Sequence, residues 1–195
     1  MLGSILSQYA RTLSVFAVLL LIVLIEALGV REAVYPGLLP FFTWMRESSW
    51  LGVIGTTYGS VYATVEAVHL LSMAVLGGTV LATDLRLLGV IFKDIPSETL
   101  VTGTHKCFRW ALLVAILTGI FCAAGVGDKV YYMQVFWIKM LVLLLGSCYM
   151  LFIKQPFLTS RPHAEINPWM IRLLAITSML TWFTVAATGR WIGFS

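Results

Sequence analysis

Five stretches of this chain are long, apolar and nearly free of charge, and they restrict its fold more than any other feature. They run from about Thr12 to Val30, Ser60 to Thr83, Phe108 to Ala124, Val135 to Ile153 and Met170 to Ala187. A helix needs roughly 20 mostly apolar residues to cross the hydrocarbon of a bilayer. Lipid offers no partner for open backbone groups, so a spanning segment must satisfy its own, and a helix does. The expected fold is all-α: an integral membrane helical bundle of about five transmembrane helices. Composition points the same way. Only 11% of residues are charged, against about 25% in soluble domains. That is too little polar surface to cover a globule of this size in water.

The windows divide the chain into an N-terminal transmembrane anchor over 1–30, an outer aromatic interfacial segment over 31–59 and a four-helix transmembrane bundle over 60–195. Arg11 ahead of an apolar run, with Ala27 and Gly29 after it, also suits a signal peptide. We expect a retained anchor instead, because the chain carries the segment. Glu26 then lies at the interface. In the outer segment Pro36 and Pro40 are expected to break regular structure. Phe41, Phe42, Trp44, Trp50 and Leu51, mixed with Arg46 and Glu47, suit an amphipathic helix lying flat at the membrane surface.

Basic residues in short loops set orientation. With the N-terminus inside, Arg11, Arg86, Lys93, Lys106, Arg109, Lys154, Arg161 and Arg172 lie near the inner face. The smaller group of Arg31, Arg46, Lys129 and Arg190 lies near the outer face, which favours N-in and C-out. The net charge of +4 is therefore assigned to membrane orientation, and no nucleic-acid partner is expected. Cys107, Cys122 and Cys148 have no C-x-x-C or C-x-x-C-H spacing and read as reduced packing residues. No phosphate-binding glycine loop, nucleophile elbow or H-E-x-x-H is present. An enzyme acting alone is not expected.

Ionisable groups inside a membrane are expensive and mark candidate sites. At about 100° per residue, Glu66, His69, Met73, Gly77 and Asp84 share one stripe of the second span. Val68, Leu70, Leu71, Val75 and Leu76 flank it and suit lipid or packing. Glu66 and His69 lie on the order of 10 Å below the outer boundary, and Lys139 enters the fourth span from that side. A Glu66–Lys139 pair follows as an expectation, and an Asp84–Arg109 pair at the other end. His69 is open to three roles: axial ligand to haem iron, copper ligand with Met73, or hydrogen bonding between helices. His105 and His163 belong near the inner face, over 20 Å away, so neither shares a haem with His69. Together they would form only a weak second site, and His163 is expected to be a solvated loop residue. Gly119 and Ala123 form a small-residue face. Thr177, Thr181, Thr184 and Thr188 form a stripe expected to face the bundle.

The run from Val68 to Gly89, V-H-L-L-S-M-A-V-L-G-G-T-V-L-A-T-D-L-R-L-L-G, resembles a group of uncharacterised bacterial membrane proteins. The likeness continues in F-R-W-A-L-L-V-A-I-L-T-G from Phe108, in Y-Y-M-Q-V-F-W-I-K-M from Tyr131 and in G-R-W-I-G-F from Gly189. It covers roughly Ser60 to the end and implies the bacterial inner membrane. More distantly, the layout is similar to the copper-resistance D family and to b-type cytochrome four-helix bundles. These share an outer histidine on one helix and a lysine in a later helix. This chain has Gln134 where the group is expected to carry asparagine, and no histidine between Tyr149 and Lys154. Only His69 carries over as a ligand.

The expected function is a membrane subunit of redox or electron-transfer type, such as the membrane part of an oxidoreductase. It would bind b-type haem or a quinone between helices. His69 would be the ligand, with Met73 beside it, and Glu66, Lys139 and Arg190 would meet haem propionates or a quinone head group. The alternatives are a cofactor-free structural subunit held among other protein subunits and a copper or small-solute transporter.

Overall fold

The computed structural model describes residues 30–194. The first apolar window except Val30 lies outside the described residues. So do Arg11, Glu26 and the choice between anchor and signal peptide. Among the described residues every element is helical. The helices are α1 (Val30–Glu47), α2 (Trp50–Thr57), α3 (Gly59–Leu87), α4 (Ser97–Gly125), α5 (Gly127–Tyr132) and α6 (Gln134–Cys148). A π-helical turn, Tyr149–Lys154, joins α6 to α7 (Gln155–Thr159). A short 3-10 turn at His163–Glu165 then leads to α8 (Pro168–Ile192).

Four helices are long and apolar enough to cross a membrane: α3, α4, the α6–α7 unit Gln134–Thr159, and α8. They hold 29, 29, 26 and 25 residues, or about 38–44 Å at the α-helical rise. That exceeds the hydrocarbon thickness of about 30 Å and carries both ends into the headgroups. Large apolar side chains point outward: Leu71 is 66% exposed and Phe183 74%. Small ones, Ala115, Ala124, Ala175 and Ser178, sit inside with Leu76, Val80, Phe108 and Trp182. Water would penalise such an arrangement, whereas lipid solvates the outer face and lets small residues bring helices close. The protein is a membrane helical bundle.

Short connections keep consecutive spans antiparallel. Helix α3 packs on both α4 and α8, α6 packs on α8, and α7 closes against α4. Helix α3 stops in a Schellman motif: Gly89 at φ 74 donates to the Arg86 carbonyl at 3.0 Å and Val90 donates to Leu85 at 2.9 Å. Helix α8 starts on Asn167, whose side chain accepts from the Trp169 amide at 2.9 Å, with Pro168 in the first turn.

Helices α1, α2 and α5 cap one end. Pro36 and Pro40 do not break the chain there, contrary to expectation; both lie inside α1. Each removes a backbone donor, and tertiary packing offsets the loss. The Tyr35 hydroxyl donates to the Tyr131 carbonyl at 2.7 Å, and the Tyr131 hydroxyl returns to the Tyr35 carbonyl at 2.8 Å. Their rings stack with centroids 4.4 Å apart. Phe42, Phe136 and Trp137 complete this aromatic cluster, and Arg46 forms an ion pair with Asp128. Segment 31–59 is thus largely helical and rests on the bundle.

Candidate functional site

The polar groups of the bundle fall into two layers, one beneath the cap and one at the opposite, loop end. His69 and Asp84 mark them on α3, about 22 Å apart along the helix.

In the capped half, His69 lies against α4. Its Nδ1 is 3.0 Å from the Thr118 hydroxyl. That hydroxyl is itself 2.6 Å from the Val114 carbonyl, which can only accept. The hydroxyl hydrogen is therefore spent on Val114 and Nδ1 carries a ring hydrogen, so that in the neutral ring the lone pair lies on Nε2. Space for the ring comes from Gly119, where a Cβ would lie 3.1 Å from His69 Cε1. The small-residue face of α4 thus receives an imidazole. Lys139 rests likewise on Gly189 of α8, with its Cε 3.4 Å from where a Cβ would stand.

The expected Glu66–Lys139 ion pair does not form, and Glu66 faces outward. The buried face of α3 is Ser72, Leu76, Val80, Thr83 and Asp84, rotated from the stripe expected through Glu66 and Gly77. Met73 packs against the apolar cluster that includes Leu76 and Phe108. Arg190 is exposed and lies over the Phe194 ring, 4.4 Å from its centroid. Among the described residues, no three His, Cys, Asp or Glu side chains converge as a metal site would require. The threonine stripe of α8 is also rotated. Thr181, Thr184 and Thr188 donate to carbonyls of their own helix at 2.7–2.9 Å. Ala175, Ser178, Trp182 and Val185 face the bundle, joined from the threonine stripe by the Thr181 methyl, which packs on Gly146 of α6.

At the loop end, Asp84 does not meet Arg109, which is exposed. It pairs with Lys154, and both are buried, at 0% and 1% exposure. Lys154 Nζ also donates to Ser178 Oγ at 2.9 Å, and that hydroxyl reaches Met150 Sδ at 3.5 Å. Three spans therefore meet on one ammonium. A buried pair holds only where geometry and added hydrogen bonds repay the desolvation of both charges. The π-helical turn places the lysine there. It widens the helix, and π turns inserted in helices often accompany functional sites. Beside the pair lies a cavity of about 10 Å³ lined by residues that include Thr83, Thr104, His105 and Lys154. Thr83 and Thr104 bond across α3 and α4 at 2.8 Å.

His163 is buried rather than solvated. Its Nε2 lies 3.1 Å from the Leu158 carbonyl and its Nδ1 2.6 Å from Ser97 Oγ. A carbonyl only accepts, so Nε2 donates and, in the neutral ring, Nδ1 accepts from Ser97. The His163 amide donates to Glu98 at 3.0 Å. These bonds pin the loop before α8 to the start of α4. A shallow groove of about 410 Å³, lined by Glu98, Thr102 and Arg161 among others, runs beside it.

The sequence places Lys154 near the inner face, at the end of the fourth apolar window, and names no partner for it. A signal was present in the four-residue spacing of Gly146, Met150 and Lys154, all buried on one face. No curated protein and no solved structure matches the chain. A family model does match it, over residues 41–195, and so takes in the cap from Phe41 and both polar layers. The chain belongs to that family, a family of unknown function designated DUF6644.

Proposed function

We propose that this chain is an integral subunit of a bacterial inner-membrane complex of redox type, with five spans, N-terminus inside and C-terminus outside. Residues 1–30 supply the anchor and the four long helices the core. The capped half, beneath the outer surface, binds a haem or a quinone head group, and His69 is its ligand. The observation that carries this reading is the state of His69. Thr118 takes the Nδ1 hydrogen, leaving the Nε2 lone pair that an iron or a quinol hydroxyl needs. Lys139, without a carboxylate partner among the described residues, adds a positive charge nearby. Arg190 at the end of α8 is a second cation for propionates, and Glu66 tunes the field from the periphery.

The donor set supplies one imidazole, and Met73 is turned to an apolar cluster. It suits a five-coordinate haem or a quinone better than a six-coordinate haem. Either group would supply one-electron transfer, while the protein's part is to ligate, orient and compensate charge. The test is an absorption spectrum of the purified chain, oxidised and reduced, with quinone and metal analysis. A Soret band or stoichiometric quinone that is lost in His69→Ala supports the reading. A colourless, quinone-free protein purified in mild detergent overturns it.

One observation favours a second reading, a cofactor-free structural subunit. The His69 ring already fills the space over Gly119, and neither cavity described above is lined by His69, Lys139 or Arg190. On that reading the His69–Thr118 bond only fixes α3 against α4, and the cap is a docking face for other subunits. A stoichiometric partner that dissociates when the Tyr35–Tyr131 contact is removed supports it; a chain that purifies alone from its native membrane speaks against it.

A further inference from the structure

The loop-end layer holds polar groups that the proposed redox site does not use. Lys154 has three N–H donors, and two are spent on Asp84 and Ser178. The third belongs to a side chain that lines the small cavity. His105 lines the same cavity from α4, and its Nδ1 is buried without a hydrogen-bond partner. Asp84 Oδ2 is likewise buried and unpartnered. The cavity measures about 10 Å³, close to the smallest space that holds one water, and its wall offers the polar partners a buried water needs.

We propose that this cavity is a binding site for a single water that joins His105 to the Lys154–Asp84 pair, making the three residues a proton-exchange path on the loop side of the bundle. The steps balance without any redox change. A Lys154 N–H bond breaks as an O–H bond forms on Asp84, and the lone pair freed on Lys154 takes a hydrogen from the water. The water takes the Nδ1 hydrogen of His105, which regains a proton from the aqueous side at Nε2. One proton has then moved from the aqueous side to the pair.

The other charged groups at this end of the packed elements are engaged elsewhere or exposed: on α4, Glu98 accepts from the His163 amide and Lys106 is exposed. Arg86 of α3 donates to the Ile95 and Lys93 carbonyls. Tyr149 of the π turn donates to Leu174 at 2.8 Å. Arg109 of α4 is exposed, and Arg172 of α8 stacks over Trp169. Helix α7 carries no ionisable side chain.

The test is deuterium exchange at the Lys154 ammonium, followed by NMR on the full chain with isotope-labelled lysine in lipid nanodiscs. The signal is assigned by its loss in the Asp84→Asn, Lys154→Met double variant. The expected result is exchange in the wild type that slows by an order of magnitude both in His105→Phe and in His105→Gln, whose amide keeps a polar wall but cannot relay a proton; wild-type exchange in His105→Gln overturns the role of the imidazole. Should His105→Phe not fold, Thr79→Leu fills the cavity from another wall and is expected to slow exchange equally. Protection of the wild-type ammonium, or a rate unchanged by the filling variant, overturns the proposal.

Discussion

The two polar layers of the bundle hold their charges in opposite ways. At the loop end, an acid and a base from different spans are sealed together and braced by a serine from a third. Beneath the cap, an imidazole and an ammonium each rest on a glycine, and Glu66, the acid expected to pair with the ammonium, points outward. The first arrangement cancels its two charges against each other and leaves only neutral hydrogen-bonding capacity over, at His105 Nδ1 and Asp84 Oδ2. The second leaves a lone pair and a charge unspent. The difference is one of room and charge: the loop-end layer holds three spans together and has space for a single water, whereas the capped layer keeps a cation with no carboxylate partner among the described residues.

The strongest way to break this comparison is to unpair the closed layer. Lys154→Met leaves Asp84 buried without a partner and is expected to cost about 3–5 kcal/mol, read as loss of folded protein in a detergent thermal melt. The double replacement with Asp84→Asn is expected to recover most of that loss. Filling a glycine seat comes next. Gly119→Val forces the His69 ring aside and is expected to cost about 1–3 kcal/mol and to abolish any haem or quinone binding, measured by melt and spectrum on one sample. Below that, Ser178→Ala removes one brace of Lys154, a loss of about 1–2 kcal/mol by the same melt. The Arg46–Asp128 pair of the cap is half exposed, so Arg46→Ala is expected to cost under about 1 kcal/mol. Smallest of all, Thr184→Val on the lipid-facing side should stay within about 0.5 kcal/mol. A large effect there would mean that this face is covered by protein.

Much of the architecture was legible because a membrane reduces folding to one question, which stretches can cross. Four of the five windows coincide with the long helices, and each helix extends beyond its window because polar residues at the ends reach into headgroups. The cap was harder. Pro36 and Pro40 carry a strong local breaking signal, which the Tyr35–Tyr131 contact overrides from nearly a hundred residues away. Side-chain pairing was harder still. Helical spacing located Asp84 on an inward face but did not identify its partner, since Arg109 and Lys154 were both near in depth. The choice depended on a π turn that no residue of Y-M-L-F-I-K announces. His69 was legible as a ligand candidate; its hydrogen-bonded state required the geometry of Thr118 and Val114.

The π turn between Tyr149 and Lys154 makes chain length, rather than residue type, the variable that sets where the lysine sits. Removing any single residue from that turn, with the rest still wound as a π-helix, would swing everything beyond it by most of a residue's step of about 100° around the helix axis. Lys154 would then leave the acid and meet lipid, with its own identity unaltered. A lysine aligned with Lys154 in another member of the family therefore shares its position only if the spacing from Gly146 is also eight residues. One gap placed in this turn would turn an apparent match into a different molecule.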